Sequence, residues 1–341
     1  MSRVTLDEIA EACNVSKATV SMALRGMGNI SPQRVKAIRE TAAKMKYRPS
    51  LAAQMLRSKQ LDYIGIIMPH SANTVAGSGF STPILMHFIE MCERQGQKYH
   101  VEFFSMSPGD IFIPPSQLTG GIVGGSLIAG YGSDEFQRWL HESCSIPWVS
   151  IDEPGEYCVI FEMYDAMRGL IKQLHEMGHR RISFLYGPTC YTSHRMGKEA
   201  YFDTMPELGL STDYKFSSKI AVEDMPYNDM IEWIKAMLSD PDRPSAVICM
   251  GIFEPRLICQ IAAEMGIKVP HDISVIGFGP PGAGSRSYPQ LSCLEPNYNV
   301  IVEQSLRMLR NRLNGRLNAS DKWGVEVNFV DRQTLAQCNV L

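Results

Sequence analysis

The chain has 341 residues, which favours two or three domains, because a single hydrophobic core rarely grows much beyond about 250–300 residues. Hydrophobic residues make up 45% and charged residues 20%, ordinary values for a globular protein. The first residues lack the basic and apolar pattern of a secretion signal, and nowhere do about eighteen apolar residues follow one another. We therefore expect a cytoplasmic protein with no membrane segment.

The nine cysteines are scattered, with no pair at the C-x-x-C spacing of zinc or redox sites. We expect small buried side chains in a reducing compartment, with no disulfide, no metal and no cofactor.

The net charge of −3 conceals a strong asymmetry. Residues 1–60 carry eleven Lys and Arg against four acidic residues, a net charge of +7, and the remainder has 22 basic and 32 acidic residues, a net charge of −10. A basic segment on an acidic body suits a polyanionic partner, because neutralising phosphates releases counterions. A solvated charged face is the alternative, and the pattern within the segment decides between them.

The N-terminal segment has the pattern of a helix-turn-helix. Thr5 and the Glu three positions later have capping-box spacing, so a helix should begin at Leu6. Asn14 can adopt the left-handed conformation that ends a helix, and Ser16 offers an N-cap for a second helix over 17–24. In such a motif the second helix enters the major groove of DNA.

The outer face of that second helix carries residue types that contact DNA. Lys17 can donate to guanine O6 and N7, and Ala18 can touch a thymine methyl group. Neighbouring hydroxyl groups suit phosphate oxygens, which set register without reading sequence. The candidate DNA contacts in this motif are Thr5, Ser16, Lys17, Ala18, Thr19, Ser21, Met22 and Arg25.

A third helix and a short hinge should follow. Ser31 and Pro32 form an N-cap and first helical position, and an apolar stripe from Val35 to Met45 closes a three-helix core. Residues 50–57 look like a helix too short to persist alone in water, so we expect it to fold only on DNA. Leu56 could then wedge between minor-groove base steps; an ordinary linker with an apolar patch is the alternative.

From residue 61 onward, apolar strands alternate with amphipathic helices, which predicts parallel sheets covered by helices on both faces. The length favours two such subdomains with a ligand cleft at the carboxyl ends of the strands. The predicted strands are Tyr63–Pro69, Val101–Met106, Gly121–Gly125, Trp148–Ile151, Ile182–Tyr186, Ala246–Met250, Ser274–Phe278, Val325–Val330 and Arg332–Leu335. The predicted helices include Pro83–Arg94, Asp165–Met177, Ile231–Leu238 and Arg256–Met265.

The chain resembles the lactose-repressor (LacI/GalR) family along its whole length. The motifs that carry the resemblance are Val4–Ala10, Val15–Ser21, Tyr47–Pro49, Ala53–Leu56, Gly178–Ile182, Arg195 with Gly197, Val269–Pro270 and Ile273–Phe278. The resemblance implies an all-α helix-turn-helix head plus an α/β periplasmic-binding-protein-like core of two parallel-sheet subdomains. It also implies a transcriptional regulator, by family habit a repressor, whose homodimer binds a pseudo-palindromic double-stranded DNA operator and whose effector lies between the subdomains.

The domains expected on this basis are a DNA-binding domain over 1–49, a hinge over 50–60 and a sensing, dimerising core over 61–341. We expect chain crossovers between subdomains near 152–162, 289–296 and 320–330. No leucine-heptad helix follows the last strands, which favours a dimer over a tetramer.

Several positions depart from the family pattern. At the hinge the family has Asn-x-x-Ala-Arg-x-Leu; Ser50 and Gln54 replace the Asn and Arg, whereas Ala53 and Leu56 match. These four are candidate DNA contacts.

In the cleft, the family's sugar-binding carboxylates and amide are replaced by Glu162, Gly251, Ile252 and Gly279, whereas Arg195 matches. The candidate effector contacts are His70, Ser126, Glu162, Arg195 and Phe278. We expect a less polar cleft than that of a sugar sensor. The effector is a sugar or another metabolite; alternatively, the cleft binds no sugar and the regulator responds to a protein co-regulator or to no effector.

Two segments should differ from the family in length. Residues 73–79 form a longer loop, and the prolines within 107–117 shorten or remove a helix.

Two other functions fit the sequence less well. Gly277-x-Gly279-x-x-Gly282 has the spacing of a dinucleotide-binding loop, but Pro280 and Pro281 lack the N–H groups that hold a pyrophosphate. With no nucleophile or metal motif elsewhere, we predict no catalytic residues and no enzyme. A transport-type binding protein would need a secretion signal and no basic N-terminal segment, the reverse of this sequence.

Overall fold

A computed structural model describes residues 4–25, 30–45, 63–69, 80–104, 111–212, 218–219, 225–316 and 321–338. The chain divides into two compact units, 1–60 and 61–341, which are described separately. The predicted hinge helix at 50–57, His70 and the loop at 73–79 lie outside the described residues.

The first unit contains three helices around a small apolar core. They are α1 (Leu6–Ala12), α2 (Lys17–Arg25) and α3 (Pro32–Lys44). The capping box predicted at Thr5 is present in both directions: the Glu8 N–H donates to Thr5 Oγ1 at 3.3 Å, and the Thr5 N–H donates to Glu8 Oε2 at 2.6 Å. Asn14 has a φ of 52°, the left-handed turn that separates α1 from α2. The core consists of Ile9, Ala10, Val20, Ala23, Ile38 and Ala42, all buried.

The second unit begins with a βα alternation that builds one sheet. Its elements are β1 (Tyr63–Pro69), α4 (Ser81–Arg94), β2 (Lys98–Phe104), α5 (Ser116–Thr119), β3 (Gly125–Ala129), α6 (Asp134–Glu142), β4 (Trp148–Ile151) and β5 (Tyr157–Phe161). Together with the later strand β11 (Asp321–Val325) they form a sheet of order β11-β5-β4-β3-β1-β2, in which every neighbouring pair is parallel.

A second sheet follows with the same rhythm. Its elements are α7 (Met163–Glu176), β6 (Ile182–Tyr186), α8 (Thr192–Glu207), β7 (Ser218–Lys219), α9 (Tyr227–Ser239), β8 (Ala246–Cys249), α10 (Phe253–Glu264), β9 (Ser274–Phe278), a 3-10 turn (Gly284–Arg286), β10 (Ser292–Pro296) and β12 (Val327–Val330). The strand order is β12-β10-β9-β8-β6-β7, with β12 antiparallel to β10 and the other pairs parallel.

The chain passes between the sheets three times. It leaves the first sheet after Phe161, returns after Pro296 through α11 (Tyr298–Leu313), which packs on β3, β4 and β5, and leaves again at Glu326 between β11 and β12. We call the first sheet with α4–α6 and α11 the first subdomain, and the second sheet with α7–α10 the second subdomain. The first passage thus follows β5, at the far end of the range 152–162 named from sequence.

Several predicted elements were wrong in position. The strand expected at Gly121–Gly125 lies at Gly125–Ala129, because Gly121 has a φ of 62° and belongs to a turn, whereas the Ser-Leu-Ile-Ala run after Gly125 is fully buried. The strand expected over Val325–Val330 is two strands in different sheets, and Arg332–Leu335 forms no strand. Five strands were predicted to within one residue. Tyr63–Pro69, Trp148–Ile151, Ile182–Tyr186 and Ser274–Phe278 match, and the strand predicted at Ala246–Met250 ends one residue earlier, at Cys249.

Local composition explains other features. The helix before β3 has only four residues, Ser116–Thr119, directly after Pro114 and Pro115, in line with the predicted shortening. None of the nine cysteines forms a disulfide, and five of them are buried, whereas Cys190 is exposed. In the described part of the chain, no helix combines the length and the apolar character needed to cross a membrane.

The two subdomains share one continuous apolar core. A single cluster of buried side chains includes Ile66 and Phe161 of the first sheet and Phe184 and Ile276 of the second. The junction between the sheets is therefore filled with packed side chains, and its burial contributes to the stability of both halves.

The capping box gives the first testable prediction. Thr5→Ala removes the hydroxyl that caps α1 and should lower the local unfolding free energy of 6–12 by about 1 kcal/mol. Native-state hydrogen exchange of the full chain measures this. Ser31→Ala is the matched control, because Ser31 is the N-cap of α3 but its side chain makes no capping hydrogen bond. Equal losses in both variants would contradict the prediction.

Candidate DNA-binding helices and effector cleft

The N-terminal end of α2 presents the residues proposed to contact DNA. Ser16, Lys17 and Ala18 are exposed, and Thr19 is half-buried. The Thr19 N–H donates to Ser16 Oγ at 3.1 Å, and the two hydroxyl oxygens lie 2.8 Å apart. Ser16 thus caps α2 as its sequence position predicts, and this local bonding holds the first turn that carries Lys17 and Ala18.

Lys17 has a competing partner within the protein. Its Nζ lies 2.6 Å from Asp7 Oδ2, and the two side chains are 53% and 64% exposed. Exposed ion pairs contribute at most about 1 kcal/mol to stability. A good contact to a base favours the correct base over a wrong one by about 1–3 kcal/mol. Lys17 can therefore leave Asp7 for a guanine at small cost.

The other DNA candidates fall into two groups. Ser21 and Met22 are half-buried on α2, and the side chain of Arg25 is not among those described. The hinge candidates Ser50, Ala53, Gln54 and Leu56 lie outside the described residues, so their proposed contacts rest on sequence alone.

In the second unit, strand ends from the two subdomains meet. Asp152 and Glu153 directly follow β4, and Thr192 and Ser193 open α8 in the other subdomain. The ring of Tyr298, which follows β10, lies 5.4 Å from the ring of Phe161 at the end of β5. We call this region the cleft, since the carboxyl ends of parallel strands are where such folds bind ligands.

Asp152 is the most constrained residue of the cleft. It is 5% exposed and has a φ of 56°, an unusual backbone conformation for a residue other than glycine. Its carboxylate accepts from the Phe161 N–H at 3.3 Å and from the Ser193 hydroxyl across the cleft. Burial raises the pKa of Asp152 to about 7, although these donors act in the opposite direction.

A second set of polar contacts lies beside it. Thr192 Oγ1 donates to Glu153 Oε2 at 3.1 Å, and Arg195 Nη2 donates to Thr192 Oγ1 at 3.1 Å. Arg195 Nη1 also donates to the Thr189 carbonyl at 3.2 Å. Burial raises the pKa of Glu153, partly offset by the Thr192 hydrogen bond and the charge of Arg195. Arg195 is therefore engaged by the protein itself.

Other cleft positions are occupied by the protein's own side chains. The carboxylate of Glu254 lies over Gly251 and leaves no room there for a Cβ. Burial raises the pKa of Glu254. Met250 and Phe278, at the ends of β8 and β9, are almost completely buried. Gly197 of α8 faces Met250: a Cβ added at Gly197 would lie 3.5 Å from Met250 Sδ, in van der Waals contact. This end of the second sheet is thus packed and largely apolar.

The structure places the predicted effector residues in different surroundings. The expectation that Ser126 follows a strand is wrong: it lies inside β3, fully buried, and its hydroxyl donates to the Leu127 carbonyl at 3.0 Å. Glu162 is exposed at the start of α7, with its carboxylate against Gly324. Phe278 and Arg195 lie at the cleft, and His70 is outside the described residues.

Sequence reasoning missed Asp152, Glu153, Thr192 and Ser193. The strand Trp148–Ile151 was predicted with correct ends, so the rule that ligand-binding residues follow strands was sufficient to find Asp152 and Glu153. The family pattern instead predicted Glu162 as the carboxylate of the cleft.

Within the described residues, no group of three or more His, Cys, Asp and Glu side chains is arranged to hold a metal ion.

Comparisons with known proteins agree with this architecture. Residues 5–50 match the family model "Bacterial regulatory proteins, lacI family", and residues 171–335 match the "Periplasmic binding protein-like domain". The chain is 26% identical to catabolite control protein A of Priestia megaterium, over 91% of this chain and 93% of that protein. It is 23% identical to the transcriptional repressor PurR of Haemophilus influenzae, over 91% of each chain.

Solved structures show the same fold. The Lac repressor dimer bound to operator and the anti-inducer ONPF matches with a TM-score of 0.82 at 20% identity, over 98% of this chain and 100% of that one. The complex of the regulator CelR with cellobiose matches with a TM-score of 0.68 at 18% identity, over 97% and 100%.

A helix-turn-helix unit followed by a two-subdomain, binding-protein-like core defines a DNA-binding transcriptional regulator. Its N-terminal unit is a DNA-binding domain of the lacI family of bacterial regulatory proteins, and its core carries a periplasmic binding protein-like domain. The recognition made from sequence is confirmed, as is the predicted fold class.

Lys17 provides a test of base reading. Lys17→Ala should weaken binding to a preferred DNA site by about 1–3 kcal/mol and relax the preference at one base pair. Fluorescence anisotropy with single-base-pair variants of the site measures both effects. Lys36→Ala, which removes one exposed positive charge from α3, is the control and should weaken all sequences alike. If the two variants gave the same uniform loss, Lys17 would have no role in reading bases.

Proposed function

We propose that the protein binds a pseudo-palindromic operator as a homodimer, represses the genes beside it, and is modulated through the cleft of its core. The observation that carries the DNA-binding part is the capped N-terminus of α2, which presents Lys17 and Ala18 to solvent on a closed three-helix core. The net charge of +7 on residues 1–60 supports attraction to phosphates.

An exposed aromatic pair supports dimer formation. The rings of Tyr227 and Phe253, at the starts of α9 and α10, lie 6.0 Å apart, and the residues are 53% and 41% exposed. Exposed aromatic clusters are typical of protein interfaces. A second copy that covers this pair would bring together two DNA-binding units, as two half-sites require.

Selection from random duplexes tests operator binding and dimerisation together. We expect an inverted repeat to be enriched, and binding to weaken steeply with salt. Phe253→Ser should shift the protein towards monomer in sedimentation and weaken full-site binding at least tenfold more than half-site binding. Trp323→Ser, which removes a similarly exposed aromatic residue of β11, is the control. Enrichment of single, unpaired half-sites would contradict the dimer.

The cleft favours a small and only partly polar effector. Asp152 and Arg195 can bind hydroxyl or carboxylate groups, but both already have protein partners, and the buried Met250 and Phe278 make the ends of β8 and β9 apolar. The second candidate function is a regulator that takes no sugar and responds to a protein co-regulator or to no effector. The continuous apolar core between the subdomains favours this second candidate.

Ligand-induced stabilisation separates these two candidates. Thermal unfolding with simple sugars, sugar phosphates, nucleosides and organic acids at millimolar concentration should show no saturable stabilisation by a plain monosaccharide. Stabilisation grows as RT ln(1 + [L]/Kd), so even weak ligands are visible at such doses. A saturable monosaccharide response, confirmed by calorimetry, would overturn the expectation of a weakly polar cleft. A response to none of the classes would favour the second candidate.

A further inference from the structure

Two hydrogen bonds join the subdomains directly across the cleft. The Ser193 hydroxyl, in the first turn of α8, donates to Asp152 Oδ2 just after β4. One residue later in the first segment and one residue earlier in the second, Thr192 Oγ1 donates to Glu153 Oε2 at 3.1 Å. In both pairs the carboxylate belongs to the first subdomain and the hydroxyl to the second, so separation of the subdomains must break both bonds.

We propose that Asp152–Ser193 and Glu153–Thr192 form a latch that holds the cleft closed by the protein's own side chains, without an effector. This inference rests on the proposed function only in assigning the cleft a regulatory role. It specifies how that site is regulated: a ligand must displace the two hydroxyl groups, or the latch must open before a ligand can enter.

The carboxylate of Asp152 has little capacity left for a ligand. Oδ1 accepts from the Phe161 N–H, and Oδ2 accepts from Ser193, whose backbone N–H also stabilises the carboxylate. The left-handed backbone at Asp152 places the side chain in this position at some cost, which the fixed partners must offset. Arg195 strengthens the second pair by donating to Thr192 Oγ1.

The latch is packed against buried aromatic side chains. Phe161 and Tyr298 are fully buried beside it, and the rings of Phe80 and Phe161 both contact that of Tyr298. The Tyr298 hydroxyl has no hydrogen-bond partner among the described residues, and burial, followed by the charge of Asp152, raises its pKa. Closure therefore removes Asp152 from water, and opening returns it to water.

This burial makes the latch sensitive to acid. In the closed form the pKa of Asp152 is raised to about 7. In the open form we expect this pKa to return towards its ordinary value near 3.8. Between pH 4 and 7 the closed form therefore holds a proton on Asp152 that the open form releases. Closure is favoured as pH falls from 7 towards 4, and this stabilisation of the closed form is lost as pH rises through 7.

Other titratable groups face the same region. Glu153 lies on the same loop, Glu162 follows β5, Tyr298 begins α11, and His194 and Arg195 lie on α8. Burial lowers the pKa of His194 to about 4 from its ordinary value of 6.5. If opening exposes this histidine, it binds a proton below pH 6.5, so its titration favours the open form at low pH and opposes the effect of Asp152. A test must therefore isolate the contribution of Asp152 from those of His194 and of Glu153, whose pKa burial also raises.

Hydrogen exchange of the full chain, corrected for intrinsic rates, tests the latch. Above pH 7, where Asp152 is ionised, Ser193→Ala should raise the opening constant of segments 150–162 and 188–196 by about ten- to a hundredfold, the range for a hydrogen bond to a charged group. Ser305→Ala is the control. Ser305 is also a fully buried serine, but its hydroxyl donates to the Ile301 carbonyl within its own helix, at 2.7 Å. Its substitution should leave both segments unchanged.

Asp152→Asn keeps an acceptor oxygen and removes the titration. The ratio of its opening constant to that of the unmodified chain should rise about tenfold per pH unit as pH falls below 7, because His194 contributes equally to both proteins. A ratio independent of pH, or equal exchange in Ser193→Ala and Ser305→Ala, would overturn the latch. Binding of the unmodified chain to duplex DNA is measured in parallel, and its absence would overturn the proposed function while leaving the exchange result intact.

Discussion

The organisation of the core depends on one constraint: parallel strands of two sheets end at the same junction. The loop that follows β4 therefore lies beside the first turn of α8, and the end of β5 lies beside the first turn of α11. In this chain one continuous cluster of buried apolar side chains, which includes Phe161 and Phe184, joins the two subdomains. Polar groups that enter it must be satisfied by each other, which is why Asp152 takes its donors from Ser193 and the Phe161 backbone.

The DNA-binding unit follows a different logic. In the described part of this unit only six buried side chains make up the centre of the core, so the capping interactions at Thr5 and Ser16 matter more than they would in a larger domain. These caps also define where α2 begins, and hence which side chains its first turn presents. Stability and recognition therefore depend on the same few residues in this unit.

The departures from the family pattern acquire a physical explanation in the core. Gly251 leaves space that the carboxylate of Glu254 occupies, so an amide at this position would require Glu254 to move. Arg195 matches the family, yet it holds Thr192 and the Thr189 carbonyl. A position can thus keep or lose its family residue without revealing what its side chain binds, because neighbouring residues decide which partner is within reach.

Much of the architecture was predictable from sequence because its causes are local. The capping box at Thr5, the left-handed turn at Asn14 and the ends of Trp148–Ile151 follow from neighbouring residues and short apolar runs. Where two local patterns compete, prediction failed: the glycines around Gly121 resembled a strand, which placed Ser126 at a strand end when it lies inside β3.

The sequence alone determined the family, the helix-turn-helix and the alternation of strands and helices, since each is encoded by short-range spacing. Tertiary structure alone decided that Asp152 meets Ser193 and that Glu153 meets Thr192, because these pairs are 41 and 39 residues apart and lie in different subdomains. Contacts over such distances depend on how the two sheets pack against each other. No local pattern in the sequence specifies that packing.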